Sequence, residues 1–185
     1  MGKIVVTEFV SLDGVMEAPG GEPGYRHGGW VRDFMGADEA NFKLGEIRDA
    51  RAHLLGRVTY ESFAGAWPTR TGEFADKINA MPKFVVSRTL RDPTWNNTHV
   101  LRGDVAREVT QLKREDGVIL VAGSRMLVHA LLEHRLVDEL RLMVFPVVLG
   151  SGRRIFPETT RKTVLRLTDL HRFNSGVIVQ TYIAV

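Results

Sequence analysis

The sequence predicts an α/β fold with a mostly parallel central sheet, closed by a C-terminal antiparallel hairpin and covered by helices on both faces. Strand-like and helix-like segments alternate up to residue 136, which requires crossover connections between parallel strands. Two of these strands end in a glycine just before a helix, at Gly56 and Gly123. The last three strand-like runs have no helix between them, and residues 174–176 form a turn between the final two.

The first 49 residues predict a strand, a long loop and a helix. Residues 3–12 alternate apolar and polar side chains, as a strand does. Residues 13–29 are rich in glycine and proline, which predicts a loop that closes over a bound substrate. Residues 30–49 carry an imperfect apolar stripe at helical spacing, weakened by Gly36 and Gly45.

The remaining elements follow from short apolar runs and from turn residues. Three buried strands are predicted at residues 53–55, 83–87 and 118–121. Three helices are predicted from residue 58, over residues 104–115 and over residues 126–136. The final strands are predicted at residues 140–145, 163–173 and 177–185.

Composition predicts one globular domain over residues 1–185, and the lack of cysteine fits a reducing compartment. Hydrophobic residues make up 44% of the chain and charged residues 25%, as in ordinary globular domains. The absence of cysteine excludes disulfides and thiolate ligands. We expect a cytoplasmic protein without a membrane partner, because no apolar run approaches the ~20 residues of a membrane span and no export signal is visible. The net charge of +3 is small and scattered, so we expect no nucleic-acid partner.

Metal and serine-hydrolase sites are not supported. His129 and His134 are five residues apart on a predicted helix, which places them on different faces, so we expect no metal site. Ser124 follows a strand but lacks the G-x-S-x-G pattern of a nucleophile elbow.

The two strand–glycine–helix turns are the candidate ligand site. In open α/β sheets, ligands bind outside the carboxyl ends of strands, where helix N-termini offer unpaired N–H groups. One turn carries Gly56, Arg57 and Thr59, and the other carries Gly123, Ser124 and Arg125. Either turn alone is weak evidence, but their repetition favours an anion site.

These segments resemble the dihydrofolate reductase superfamily, in which comparable turns bind NADPH. The resemblance rests on residues 56–61, 85–88 and 121–125 in that order. Residues 11–14, 138–141 and 146–152 resemble more closely the bacterial branch that includes the reductase domain of riboflavin-biosynthesis proteins. The resemblance covers nearly the whole chain and implies an NADPH-dependent reductase with a small-molecule substrate, together with a homodimer.

The resemblance also implies roles for individual residues. Gly56, Arg57 and Thr59 would contact the pyrophosphate and adenosine side of NADPH, and Ser87 and Arg88 would hold its 2′-phosphate. The guanidinium groups suit a phosphate dianion, which favours NADPH over NADH.

The second turn and the first strand would hold the other half of the cofactor. Gly123, Ser124, Arg125 and Leu127 would line the pyrophosphate and nicotinamide ribose, while Val10 would lie against the nicotinamide. Family members usually have two glycines joined by a cis peptide bond at this turn. We therefore expect a cis bond between Ala122 and Gly123.

The substrate side is predicted less sharply. Asp13 in the loop and Glu39 on the following helix are the candidate proton donors, although neither matches the carboxylate motif of folate reductases. A reductase acting on a pyrimidine or pterin-like compound is the first reading. A true dihydrofolate reductase and a non-catalytic nucleotide-binding dimer remain alternatives.

Overall fold

A computed structural model describes residues 1–156, 158 and 162–184 of the chain. The strands within these residues are β1 (Lys3–Ser11), β2 (Ala50–Gly56), β3 (Lys83–Val86), β4 (Thr98–Leu101), β5 (Val118–Val121), β6 (Glu139–Phe145), β7 (Leu165–Arg172) and β8 (Ile178–Ala184). The helices are α1 (Ala37–Asp49), α2 (Arg57–Ala66), α3 (Glu73–Ala80), α4 (Val105–Leu112) and α5 (Arg125–Glu133).

All eight of these strands form one sheet, in the order β4-β3-β2-β5-β1-β6-β8-β7. The pairs from β4 across to β6 are parallel, whereas β8 runs antiparallel to both β6 and β7. β1 lies at the centre, and its Val6 pairs with Val121 on one side and with Leu140 on the other. The predicted mostly parallel sheet with antiparallel closing strands is confirmed.

Helices cover both faces of the sheet, as predicted. Alternate residues of β1 point to opposite faces. Ile4, Val6 and Val10 pack with apolar residues of α4 and α5, while Val5 packs with residues of α1, α2 and α3. A third apolar cluster, which includes Trp30 and Phe145, lies between the end of the sheet and residues 25–35.

Several predicted boundaries were wrong. The helix predicted from residue 30 begins at Ala37, because Gly36 is extended and donates its backbone N–H to the Glu39 carboxylate. The structure also contains α3 and β4, which the sequence analysis did not predict, since both are short. The last predicted strand is confirmed through Ala184, and its final residue, 185, lies outside the described residues.

No helix in the described part of the chain has the length and apolar character needed to cross a membrane.

Candidate functional site

The two predicted turns lie side by side at the carboxyl ends of β2 and β5, which are neighbours in the sheet. The hydroxyl of Ser124 donates a 2.8 Å hydrogen bond to the hydroxyl of Thr59. A Cβ atom on Gly56 would collide with the side chain of Ser124, so the close approach of the turns requires glycine there. The structure therefore brings the two halves of the predicted site together.

The second turn has an unusual backbone. Gly123 has a φ of +85° and Ser124 a φ of +66°, both in the left-handed region. A Cβ atom on Gly123 would lie 2.9 Å from two side-chain atoms of Thr59, so glycine is needed for both space and conformation. The peptide bond between Ala122 and Gly123 is trans, as are the other peptide bonds in the described residues, so the expected cis bond was wrong. In this structure the two positive φ values turn the chain from β5 into α5.

The helices that follow the turns begin differently from the other helices in the described chain. α1, α3 and α4 each carry acidic residues in the first turn, which suit the positive end of the helix dipole. α2 and α5 have none, and each begins with an arginine, Arg57 or Arg125. Their N-cap residues, Gly56 and Ser124, make no side-chain capping bond, a feature that α2 and α5 share with α1 and α3. Unpaired N–H groups, the helix dipole and an arginine thus converge at both helix starts, as an anion site requires.

Arg57 is held only loosely. Its guanidinium donates to both carboxylate oxygens of Glu61, at 2.9 and 3.1 Å. Both side chains are almost half exposed, and exposed pairs of this kind contribute only about 0–1 kcal/mol. Arg57 could therefore exchange its ion pair with Glu61 for an ion pair with a phosphate at little cost in free energy.

Ser87 and Arg88 extend the same edge of the sheet. Gly56 pairs with Val86 at the end of β3, so the residues that follow Val86 lie beside the start of α2. The hydroxyl of Ser87 is buried and accepts hydrogen bonds from the backbone N–H groups of Thr89 (3.2 Å) and Leu90 (2.9 Å). Ser87 thus orders this turn, while Arg88 is exposed beside it.

Val10 and Leu127 belong to one buried apolar cluster behind the two turns. Val10 comes from the carboxyl end of β1 and Leu127 from the first turn of α5. Both side chains are buried in this structure.

The sequence analysis missed Glu8. Its carboxylate is buried, and Oε1 accepts a 2.8 Å hydrogen bond from the backbone N–H of Gly123. Burial raises the pKa of Glu8 to about 8, so the carboxyl group is mostly protonated at neutral pH. A signal was present in the sequence, because Glu8 falls on the same strand face as Val6 and Val10 in β1.

Asp13 is bound within the loop that it was predicted to serve. Its Oδ1 accepts from the hydroxyl of Ser11 (2.7 Å) and the N–H of Leu149 (3.1 Å), and its Oδ2 accepts from Gly150 N–H (2.9 Å). These bonds lower the pKa of Asp13 to about 2. An ionised carboxylate with three hydrogen bonds is suited to anchoring a loop, and its geometry does not favour proton donation.

Glu39 lies away from the two turns. It caps the start of α1 and also accepts a hydrogen bond from the hydroxyl of Ser175, in the turn between β7 and β8. Burial raises the pKa of Glu39, but the bonds from Ser175 and from backbone N–H groups outweigh burial and hold the pKa below its usual value. β8 is three strands from β5 in the sheet, about 14 Å at ~4.8 Å per strand, so the structure does not bring Glu39 to the turns.

The loop at residues 13–29, which was predicted to close over a bound substrate, is hydrogen-bonded near its start to residues 149–155. Met16 N–H donates to Arg153 O, and Ile155 N–H donates to Gly14 O, each with a short backbone bond. The hydroxyl of Tyr25 donates a 2.6 Å bond to Ser151 O farther along the loop. These two segments therefore form one layer over the carboxyl end of β1.

Within the residues described, no group of three or more histidine, cysteine or acidic side chains is arranged to hold a metal ion.

The structure has a dihydrofolate reductase-like fold. The structure matches that of a dihydrofolate reductase from Enterococcus faecalis complexed with NADP(H), with a TM-score of 0.58, 15% identity and coverage of 98% of this chain and 96% of that one. A putative riboflavin biosynthesis protein from Shewanella matches with a TM-score of 0.76, 17% identity and 99% coverage of both chains. At these identities the likeness establishes the fold.

The chain belongs to the family described as the RibD C-terminal domain, whose sequence profile matches residues 2–179. Two Bacillus subtilis (strain 168) proteins, both described as uncharacterized, are similar over nearly their whole lengths. YyaP is 27% identical, and the match covers 97% of this chain and 94% of YyaP. YwjB is 30% identical, and the match covers 95% of this chain and 94% of YwjB. The resemblance inferred from the turns is confirmed.

Proposed function

We propose that this chain is an NADPH-dependent reductase of the riboflavin-biosynthesis type, which transfers hydride to a small pyrimidine or pterin-like substrate. The observation that carries the proposal is the meeting of two helix N-termini that lack acidic residues and begin with Arg57 and Arg125. An arginine at that position is unfavourable for the helix itself by about 0.3–1 kcal/mol. A bound anion turns the same arrangement into a favourable one. Family membership and the NADP(H) complex of the E. faecalis enzyme support NADPH as that anion.

The residues present fit the cofactor's phosphates. The turn of Gly56, Arg57 and Thr59 and the turn of Gly123, Ser124 and Arg125 would hold the pyrophosphate between them. Small side chains and glycine let the backbone N–H groups approach the phosphate oxygens closely. Ser87 and Arg88, at the neighbouring strand end, would receive the 2′-phosphate, with the exposed guanidinium as the charged partner.

The apolar side chains of Val10 and Leu127 suit the nicotinamide ring. Val10 and Leu127 lie behind the turns and would exclude water from one face of the ring. NADPH, when bound, supplies the hydride. The protein's own contribution is to bind and orient the two reactants, and the layer formed by residues 13–17 and 149–155 would cover them from solvent.

Turnover is the direct test. Purified protein is mixed with NADPH and, in separate reactions, with a ribosylaminopyrimidine, a dihydropterin and dihydrofolate, and oxidation of NADPH is followed by its absorbance. We expect oxidation with a pyrimidine or pterin substrate and much slower oxidation by an Arg125→Ala variant. Turnover of dihydrofolate alone would identify a true dihydrofolate reductase. NADPH binding without oxidation by any substrate would contradict the proposal and favour a nucleotide-binding protein.

A further inference from the structure

Glu8 is a buried acid in direct contact with the proposed cofactor turn. It lies on β1, only 4% exposed, and its Oε1 accepts the N–H of Gly123 at 2.8 Å. This bond joins the central strand of the sheet to the loop that begins α5, across 115 positions of sequence. Glu8 is also two residues before Val10 on the same strand face, about 7 Å along the strand. The proposed nicotinamide contact and this carboxyl group are therefore immediate neighbours.

Few charges surround this carboxyl group. α1, on the opposite face of the sheet, contributes Lys43 and Glu46, whose charges act on Glu8 in opposite directions. Its strand partner Leu142 and the nearby Val121, like the core-facing residues of α5, are apolar. Arg125 is the charged residue at the start of α5.

Burial therefore controls the charge of Glu8. Desolvation is the largest influence on its pKa, followed by the bond from Gly123, and the pKa is raised to about 8. A group in this environment responds strongly to any new charge placed beside it, because little water is present to screen that charge.

We propose that Glu8 is a redox-linked positioning residue, which is neutral beside NADPH and becomes an anion beside the cationic nicotinamide of NADP⁺. This inference rests on the proposed NADPH function and goes beyond it. The reduced ring is uncharged and leaves the proton on Glu8. The oxidised ring carries one positive charge, which favours the carboxylate form. Glu8 thus stabilises the charge that develops as hydride leaves the ring.

The atoms and electrons of this step balance. NADPH, when bound, would supply a hydride from a C–H bond of its nicotinamide, and this hydride would form a C–H bond on the substrate, which gains the two electrons that the cofactor loses. The O–H bond of Glu8 would break and its proton would pass to bulk water, while the substrate would take up one proton from bulk water. When NADP⁺ is released, Glu8 regains a proton from water. The net reaction consumes NADPH, one substrate and one proton.

The test compares the affinities for NADP⁺ and NADPH as a function of pH, with calorimetry or fluorescence between about pH 6.5 and 8.5. Both cofactors carry the same 2′-phosphate, so the ratio of their affinities isolates the effect of the ring. We expect the ratio in favour of NADP⁺ to rise with pH below about pH 8, by up to tenfold per pH unit, because NADP⁺ binding releases the Glu8 proton. The proton release itself is measured by calorimetry in two buffers of different ionisation enthalpy.

Glu8→Gln keeps the oxygen that accepts the Gly123 N–H but cannot ionise, so its ratio should not change with pH. Glu133→Gln, a change of an exposed acid on α5, should keep the wild-type pH dependence. A flat ratio in the wild-type protein, with both cofactors binding, would overturn the role of Glu8 and leave the reductase proposal standing. A Glu8→Gln variant whose ratio of NADP⁺ to NADPH affinity changes with pH as in the wild type would also overturn the role of Glu8 and leave the reductase proposal standing. Failure of both cofactors to bind the wild-type protein would overturn the reductase proposal and this inference with it.

Discussion

The hydroxyl of Ser124 donates a 2.8 Å hydrogen bond to the hydroxyl of Thr59, across 65 positions of sequence. Each residue belongs to one of the two strand–glycine–helix turns, so this bond fixes the distance between two helix N-termini. A diphosphate group is large enough to contact both termini at once, and a fixed spacing spares the entropy of ordering them on binding. The bond therefore links the packing of β2 and β5 to the proposed function.

Gly123→Ala should weaken both the fold and NADPH binding. The new Cβ atom would lie 2.9 Å from the Thr59 side chain at a φ of +85°. Left-handed backbone costs an alanine about 1–2 kcal/mol, and the close contact adds to this cost. We expect a loss of roughly 2 kcal/mol in urea unfolding and at least tenfold weaker NADPH binding.

Gly45→Ala is the matched control, because Gly45 lies in α1 with no atom within 4 Å of a new Cβ. It should raise stability by about 0.5–1 kcal/mol and leave NADPH binding unchanged. Equal NADPH affinity in Gly123→Ala and wild type would contradict a close approach of the cofactor to this turn.

Arg88→Ala should reduce selectivity for NADPH over NADH. A charge-assisted bond to phosphate contributes about 1.5–3 kcal/mol, so we expect NADPH affinity to fall by roughly 10- to 150-fold. NADH lacks the 2′-phosphate, and its affinity should stay the same. Binding titrations with both cofactors test this, and a parallel loss of both affinities would place Arg88 elsewhere in the site.

His53→Leu should make the protein more resistant to acid. His53 is buried, and neither ring nitrogen has a hydrogen-bond partner within the described chain. Burial, with smaller effects from Lys43 and Lys83, lowers its pKa to about 3, whereas the unfolded value is about 6.5. Between pH 6.5 and pH 3 the imidazole binds a proton in the unfolded chain but not in the folded protein. The contribution of His53 to the free energy of unfolding is therefore complete above pH 6.5 and is lost as the pH falls towards 3. The slope is about 1.4 kcal/mol per pH unit.

Urea unfolding at several pH values from about 4 to 7 measures this slope. His53→Leu should reduce the slope of the free energy of unfolding against pH by up to about 1.4 kcal/mol per pH unit, the effect of one proton. His134→Leu, at an exposed position, should leave the slope unchanged. An unchanged slope in His53→Leu would show that the buried imidazole does not govern acid stability.

Lys83→Met should destabilise the region around β3. The Lys83 side chain is fully buried, and its Nζ donates to the backbone carbonyls of Asn79 (2.6 Å), Met81 (2.9 Å) and Asn96 (3.0 Å). Methionine fills similar volume but leaves these carbonyls without their donor, which should cost about 2–4 kcal/mol. Lys3→Met, at an exposed position, should change stability by less than about 0.5 kcal/mol. Similar losses in the two variants would contradict this role of Lys83.

The sheet and the site turns could be predicted because their signals are local. A short apolar run followed by glycine and a helix marks the ends of β2 and β5, and the turn at residues 174–176 marks the hairpin of β7 and β8. α3 and β4 could not be predicted in the same way, because segments of eight and four residues are too short for their pattern to distinguish them from loops. Their positions depend on packing against the rest of the sheet, and Lys83 contributes to that packing through carbonyls on both sides of β3.

The surroundings of the candidate proton donors could not be predicted from the sequence. Asp13 and Glu39 were chosen for their place in the chain, but their hydrogen bonds to Leu149 and Ser175 depend on long-range contacts. Glu8 was overlooked because a lone acid in a strand usually faces water. Its burial depends on the packing of α5 over the sheet, and its hydrogen bond with Gly123 joins residues 115 positions apart.

The most direct test of the central claim is thermal unfolding with and without NADPH, for the wild type and for an Arg57→Ala/Arg125→Ala double variant. Both arginines stand at helix N-termini, where their removal should not harm the fold. A ligand that binds the native state stabilises it by RT ln(1 + [L]/Kd), about 2.7 kcal/mol when its concentration is 100 times Kd. We expect NADPH to raise the wild-type Tm and to raise that of the double variant much less. No shift of the wild type at NADPH concentrations near millimolar, or an equal shift in both proteins, would contradict the account.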